Sequence, residues 1–245
     1  MEHFVKNGEA EIWTLISDDN ANCDKPYLLL CGAGPGVNDG LNEVAPILND
    51  KYNTIRFNHR GCGKSSADSN YDIDTVISDI EAIRKYYNIK QWYVLGHSWG
   101  ANIALFYALK YSQHCIKVIY LCGTGVQNDA DWGEECAKAA AELKEPERPP
   151  RVDVDDTMNY DVLDAEIDSF NKYIQRPMLL KDISQLKIPF LVIIAEKDIR
   201  PMWPTIQLSN LLPMGKLKVF ENCNHFPWIT HPDLLRDTVI EWFGE

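Results

Sequence analysis

The chain has 245 residues, 45% of them hydrophobic and 24% charged, enough for a sizeable core in either one large α/β domain or two small ones. A net charge of −12 repels phosphate backbones, which argues against a nucleic-acid partner. No run reaches the roughly 18 apolar residues of a membrane span, and Met1–Asn7 lacks the apolar core of a signal peptide. Seven cysteines, an odd number without C-x-x-C spacing, read as free thiols, so a cytoplasmic protein is expected.

Glu9–Ile16 alternates polar and apolar residues, the pattern of a half-buried edge strand. After the polar turn Asp18–Lys25, Pro26–Cys31 is a continuous apolar run, as in an inner parallel strand covered on both faces. It ends in the loop Gly32–Gly36, whose backbone N–H groups can approach a ligand closely. A short helix at Leu41–Leu48 and a strand at Thr54–Phe57 follow. Ile73, Val76, Ile77, Ile80, Ile83 and Tyr87 have the i, i+3, i+4, i+7 spacing of an amphipathic helix over 72–87. Gln91–Leu95 is a β-type run, Asn102–Leu109 is helix-forming, and Ile116–Cys122 is another buried strand. This alternation predicts a mostly parallel central sheet flanked by helices, the α/β class.

The alternation stops at Gly123. The acidic stretch that follows predicts helices over 131–143 and 161–174, with a break at Pro146–Pro150. The spacing of Val162, Ile167, Phe170 and Ile174 favours a folded insertion over a disordered linker. The expected organisation is a core of residues 1–122 and 188–245, with residues 123–187 forming a short helical lid over the sheet's C-terminal edge. The core resumes with a strand at Pro189–Ala195, a helix at Thr205–Leu212, a strand at Lys216–Phe220 and a helix at Asp233–Phe243.

The stretch around Gly96-His97-Ser98-Trp99-Gly100 reads G-x-S-x-G between a strand and a helix, the setting of a nucleophile elbow. Glycine on both sides lets the backbone crowd together, and the turn lifts the Ser98 hydroxyl above the strand end. A serine needs a general base, and the base needs an orienting acid. In this setting they follow in the order acid, then histidine. Asp198, past the strand at 189–195, is favoured over Glu196. His225, past the strand at 216–220, is favoured over His231, whose His-Pro-Asp setting looks like a helix start. His97 is expected to pack or hydrogen-bond behind the elbow. The oxyanion requires two N–H donors, assigned to the backbone of Trp99 and of Ala33.

Gly34, His59 and Trp203 are candidate pocket residues, with Trp99 and Trp203 as apolar walls; His59 also reads as a satisfied structural histidine. Gly32-Ala33-Gly34 opens like a dinucleotide fingerprint, but the third glycine would fall at Val37. Gly61–Ser65 ends like a P-loop, but the first glycine would fall at Asn58. No H-E-x-x-H or Cys/His cluster argues for a metal, and no cofactor is expected.

Together these segments resemble the α/β-hydrolase fold, and within it the proline iminopeptidase branch. That branch carries H-G-G-P-G where this chain has Gly32-Ala33-Gly34-Pro35-Gly36. It carries D-Q-R-G-x-G-x-S where this chain has Asn58-His59-Arg60-Gly61-Cys62-Gly63-Lys64-Ser65, and G-G-S-W-G at the elbow. The resemblance implies a serine hydrolase of small molecules or short peptides, an iminopeptidase-like aminopeptidase. Gly32 and Asn58 depart from the family's His and Asp. The acidic residues that hold the substrate amine in that branch have only Glu134, Glu135, Asp155, Asp156 and Glu166 as candidates here. A small-molecule carboxylesterase or lactonase is therefore the rival enzyme, and a ligand-binding protein without turnover is the rival from another class.

Overall fold

The computed structural model describes residues 1–18, 24–32, 34–127, 130–142 and 158–244. Eight strands form one sheet in the order β1-β2-β4-β3-β5-β6-β7-β8. The strands are β1 (Glu2–Asn7), β2 (Ala10–Ile16), β3 (Tyr27–Cys31), β4 (Asn53–Phe57), β5 (Trp92–His97), β6 (Cys115–Leu121), β7 (Phe190–Ala195) and β8 (Gly215–Phe220). β1, β2 and β4 pair antiparallel; from β4 to β8 every pairing is parallel.

The helices are α1 (Val44–Leu48), α2 (Ile73–Tyr86), α3 (Trp99–Lys110), α4 (Ala130–Glu142), α5 (Tyr160–Ile174), α6 (Leu179–Ser184), α7 (Trp203–Leu211), α8 (Pro227–Thr230) and α9 (Pro232–Gly244). α2 starts where Asp72 accepts a hydrogen bond from the Thr75 N–H, satisfying one of the donors that a helix start leaves free. Its periodic isoleucines are buried, as their spacing demands.

Apolar runs make two-faced strands. Leu29, Val94, Val118 and Val192 belong to the core shared with α2 and α3. Leu28, Leu30, Leu95, Ile119 and Ile193 pack on the opposite face with α1 and α9. Burying a Leu, Ile or Val in such a layer contributes roughly 1.5–3 kcal/mol. The C-terminal ends of the parallel strands therefore open onto one rim, where the loops after β3, β4, β5, β7 and β8 gather.

The sequence pattern did not reveal β1, α6 or α8. β1 has only two apolar residues, and its strand form comes from pairing with β2 through the turn at Gly8, whose φ is 65°. α6 and α8 have 6 and 4 residues, too few to show a helical period. No helix among the described residues is long and apolar enough to cross a membrane.

Candidate active site

The elbow is built by backbone crowding. Ser98 sits at φ 56°, a left-handed conformation that costs a residue with a Cβ about 1–3 kcal/mol and persists only where its surroundings hold it. They do so here. A Cβ on Gly96 would overlap the carbonyl of Gly100, and one on Gly100 would overlap the carbonyls of Cys31 and Gly32. The first turn of α3 thus rests directly on the end of β3. The Ser98 N–H donates to the Leu121 carbonyl at 2.9 Å, tying the turn to β6.

His225 lies in the loop after β8, 5% exposed. Its Nε2 is 3.0 Å from Ser98 Oγ and its Nδ1 is 2.5 Å from Asp198 Oδ2. Three side chains 27 to 127 residues apart in sequence thus form one hydrogen-bonded chain. The alternatives point elsewhere: Glu196 accepts from the Asn222 N–H at 2.7 Å, and His231 bonds the neighbouring Thr230 hydroxyl. Burial pushes the His225 pKa down, Asp198 pulls it back, and Arg200 pushes it further down; the net direction is below the ordinary histidine value. Burial works against the Asp198 carboxylate, but its contacts with His225 and Arg200 more than offset this and hold its pKa below the usual range.

Arg200 was not foreseen. Asp198 Oδ1 accepts from both the backbone N–H and Nη1 of Arg200, each at 3.1 Å. The D-x-R spacing was the signal, too common on its own to single out. His97, fully buried behind the elbow, has Nε2 2.7 Å from the His225 carbonyl, so that nitrogen carries the proton and donates it. Its Nδ1 has no hydrogen-bond partner among the described residues. Burial and the adjacent His225 hold the His97 pKa well below the ordinary value.

The Trp99 N–H, expected to be one oxyanion donor, opens α3, where the first N–H groups have no acceptor within the helix. Ala33, assigned as the second donor, lies outside the described residues. Gly34 has φ 84° in the same loop.

α5 covers this rim. The Asn159 N–H donates to the Gly36 carbonyl at 2.7 Å, and Asn159 Nδ2 donates to Gly61 at 2.8 Å. Phe170 packs on the Trp99 ring with centroids 5.0 Å apart. Between them Glu166, 1% exposed, binds His59 Nδ1 at 2.6 Å through Oε1. Its Oε2 is buried without a hydrogen-bond partner among the described residues. Burial lowers the His59 pKa but Glu166 more than compensates, leaving it raised. Trp203, in contrast, is 38% exposed at the start of α7. Glu134 and Glu135 lie on α4, which buries no residue, and both pair with Lys138. Asp155 and Asp156 lie outside the described residues.

His97, Cys122 and His225 form the one grouping of potential metal ligands among the described residues, within 4.8 Å of one another. Both His225 nitrogens are already engaged, and burial keeps the Cys122 thiol protonated, so the chemistry offered here is proton transfer. A cavity of about 10 Å³ lies beside Cys122, Asp198 and Arg200, barely one water in size. Roomier clefts of about 630 and 700 Å³ lie elsewhere and include no member of the relay.

A mostly parallel sheet, helices on both faces and a serine on a strained strand–helix turn define an α/β hydrolase. A family model described as the alpha/beta hydrolase fold matches residues 26–180, and the chain belongs to that family of hydrolases. It is 22% identical to a proline iminopeptidase of Lactobacillus delbrueckii subsp. bulgaricus over 266 aligned residues, covering 89% of this chain and 90% of that one. It is 35% identical to a putative proline iminopeptidase of Mycoplasma genitalium over 133 residues, 52% of this chain and 41% of the relative. An esterase from Exiguobacterium antarcticum superposes with a TM-score of 0.79 at 18% identity, over 100% of both chains.

Proposed function

We propose that this protein is a serine hydrolase acting by acyl transfer, with the specificity of an iminopeptidase-like aminopeptidase. The observation that carries the mechanism is the hydrogen-bonded chain from Ser98 Oγ through the His225 ring to Asp198. Ser98 Oγ attacks the scissile carbonyl and its proton passes to His225 Nε2. Asp198 holds the ring in the tautomer with Nδ1–H and stabilises the imidazolium that forms. The Trp99 N–H, at the positive end of α3, bonds the developing oxyanion; such a donor contributes about 2.7–4 kcal/mol. His225 then gives its proton to the leaving group, and water attacks the acyl-enzyme by the same route. The neutral, partly desolvated His225 is ready to accept a proton under mildly acidic conditions.

What supports a peptidase is Glu166. Its buried Oε2 lacks a donor, and it lies one helical turn from the Phe170 that covers Trp99. The α-ammonium of a substrate's first residue would supply that donor. A charge-assisted hydrogen bond of about 1.5–3 kcal/mol makes Glu166→Gln raise KM for a proline arylamide roughly ten- to a hundredfold.

The test compares turnover of a proline arylamide with that of short acyl esters, together with fluorophosphonate labelling. Arylamide cleavage that depends on Glu166 is the expected result. Ester cleavage without arylamide cleavage would assign the protein to ester or lactone hydrolysis. No labelling of Ser98 in the folded protein would make it a ligand-binding member of the fold.

A further inference from the structure

The third group on the triad carboxylate has no role in the reading above. Asp198 presents two oxygens, and they are shared between opposite tasks. Oδ2 faces His225, whereas Oδ1 receives the Arg200 backbone N–H and guanidinium, each at 3.1 Å. The backbone bond is a local turn contact that any non-proline residue at 200 would make. The guanidinium bond is specific to arginine, and it places a permanent positive charge on the carboxylate that must stabilise the His225 imidazolium.

We propose that Arg200 is a positioning residue that sets the lower pH limit of activity, by bracing Asp198 and opposing protonation of His225 in the free enzyme. The proposal rests on the serine-hydrolase reading. The groups facing the relay leave this job to Arg200. From the end of β5 comes His97, held neutral and committed to the His225 carbonyl. From the end of β6 comes Cys122, a buried thiol. From the loop of His225 itself comes Cys223, also protonated, bonded to the Asn224 carbonyl. Asp198 is the one anion touching the ring, and Arg200 is the one cation touching Asp198 among the described residues.

The setting explains why such a charge is useful. A chain of net charge −12 surrounds its histidines with a negative field that favours their protonated form. A protonated His225 cannot accept the Ser98 proton. A guanidinium on the far oxygen of Asp198 reduces the carboxylate's pull on the imidazolium without removing the hydrogen bond that orients the ring. The Arg200 side chain is 29% exposed and that of Asp198 only 6%, so salt screens the arginine more than the buried Asp198–His225 contact.

The experiment measures the rate of fluorophosphonate labelling of Ser98 across the range in which histidine titrates, for wild type, Arg200→Gln and Arg200→Lys. Each is run at about 0.01 M and about 1 M ionic strength, where the screening lengths are about 30 and 3 Å. Arg200→Gln is expected to move the acid limb to higher pH. Relative to its own plateau, it loses about two- to fivefold in rate at the acid end. Arg200→Lys is expected to restore most of that loss. High salt should move the wild-type limb upward, toward that of Arg200→Gln. Salt acting on the net negative field alone would move it the other way. Superimposable limbs for wild type and Arg200→Gln at low salt would overturn the proposal. If Arg200→Gln fails to fold, the wild-type salt series decides, and a limb that stays or falls with salt rejects the proposal. A wild-type protein that is not labelled at all would instead reject the hydrolase reading.

Discussion

Ser98 combines a strained backbone with a hydroxyl whose side-chain partner among the described residues is His225. Ser98→Ala keeps the Cβ, so it leaves the strain and the packing as they are. It is expected to lower kcat by on the order of 10⁶ while shifting the thermal midpoint very little. A large drop in melting temperature would show that the hydroxyl supports the elbow. His97 carries a separate prediction. In the unfolded chain it takes a proton as pH falls through 6.5, whereas the fold holds its pKa well below that value. The unfolded state then binds more protons, so stability declines as pH drops below 6.5 and continues to decline until the folded-state pKa is passed. His225 acts in the same sense and His59, with its raised pKa, in the opposite one. Chemical denaturation over a pH series should show a shallower acid decline for His97→Gln; an unchanged slope would remove His97 from the account. Ser98, Asp198 and His225 were legible because each follows a strand closely. Arg200 was not, because which carboxylate oxygen it meets depends on the turn that carries both residues.

α5 illustrates how an element is placed. Val162, Phe170 and Tyr173 bury one stripe. Of the spacing expected from the sequence, Val162 and Phe170 lie in it, whereas Ile167 is 38% exposed and Ile174 only partly buried, because the buried face turns toward Tyr173. What fastens its start is Asn159, which caps the helix by accepting from the Asp161 and Val162 N–H groups and reaches across to Gly61. Asn159→Ala removes both functions and is expected to cost about 1–2 kcal/mol, seen as a lower denaturant midpoint. Faster hydrogen exchange confined to α5 and the loop around Gly36 would accompany it. Uniform loss across the sheet would mean that α5 is part of the main cooperative unit. The capping role of an Asn before an apolar stripe is a local signal; its bond to Gly61, 98 residues away, is not.

Across the molecule, Arg60 holds distant parts together. Buried after β4, it grips Asp79 on α2 with Nε and Nη2, both at 2.8 Å, bonds Asp68, and reaches the Asn7 carbonyl at 3.1 Å. It thereby joins β1 to α2 and to the loop under the rim. Arg60→Met would leave Asp79 buried, 3% exposed, without its counterion. Such a break costs about 3–5 kcal/mol, measurable as a fall in the urea midpoint. A change below 1 kcal/mol would mean that the network tolerates its loss. In the sequence this arginine stood inside a motif carried by resemblance, and nothing local marked it as a brace.

Local composition and periodicity were enough to identify the α/β class, the stretches that form the core strands and the serine's position on a turn, because burial on one or two faces forces a repeat that neighbouring residues reveal. Convergence was another matter. Whether His225 or His231 meets the serine, which oxygen of Asp198 faces the ring, and which carboxylate of the segment after β6 lies buried beside His59 depend on contacts across loops and parallel strands far apart in the chain. Those contacts follow from sheet order and register, which no short stretch of residues encodes by itself.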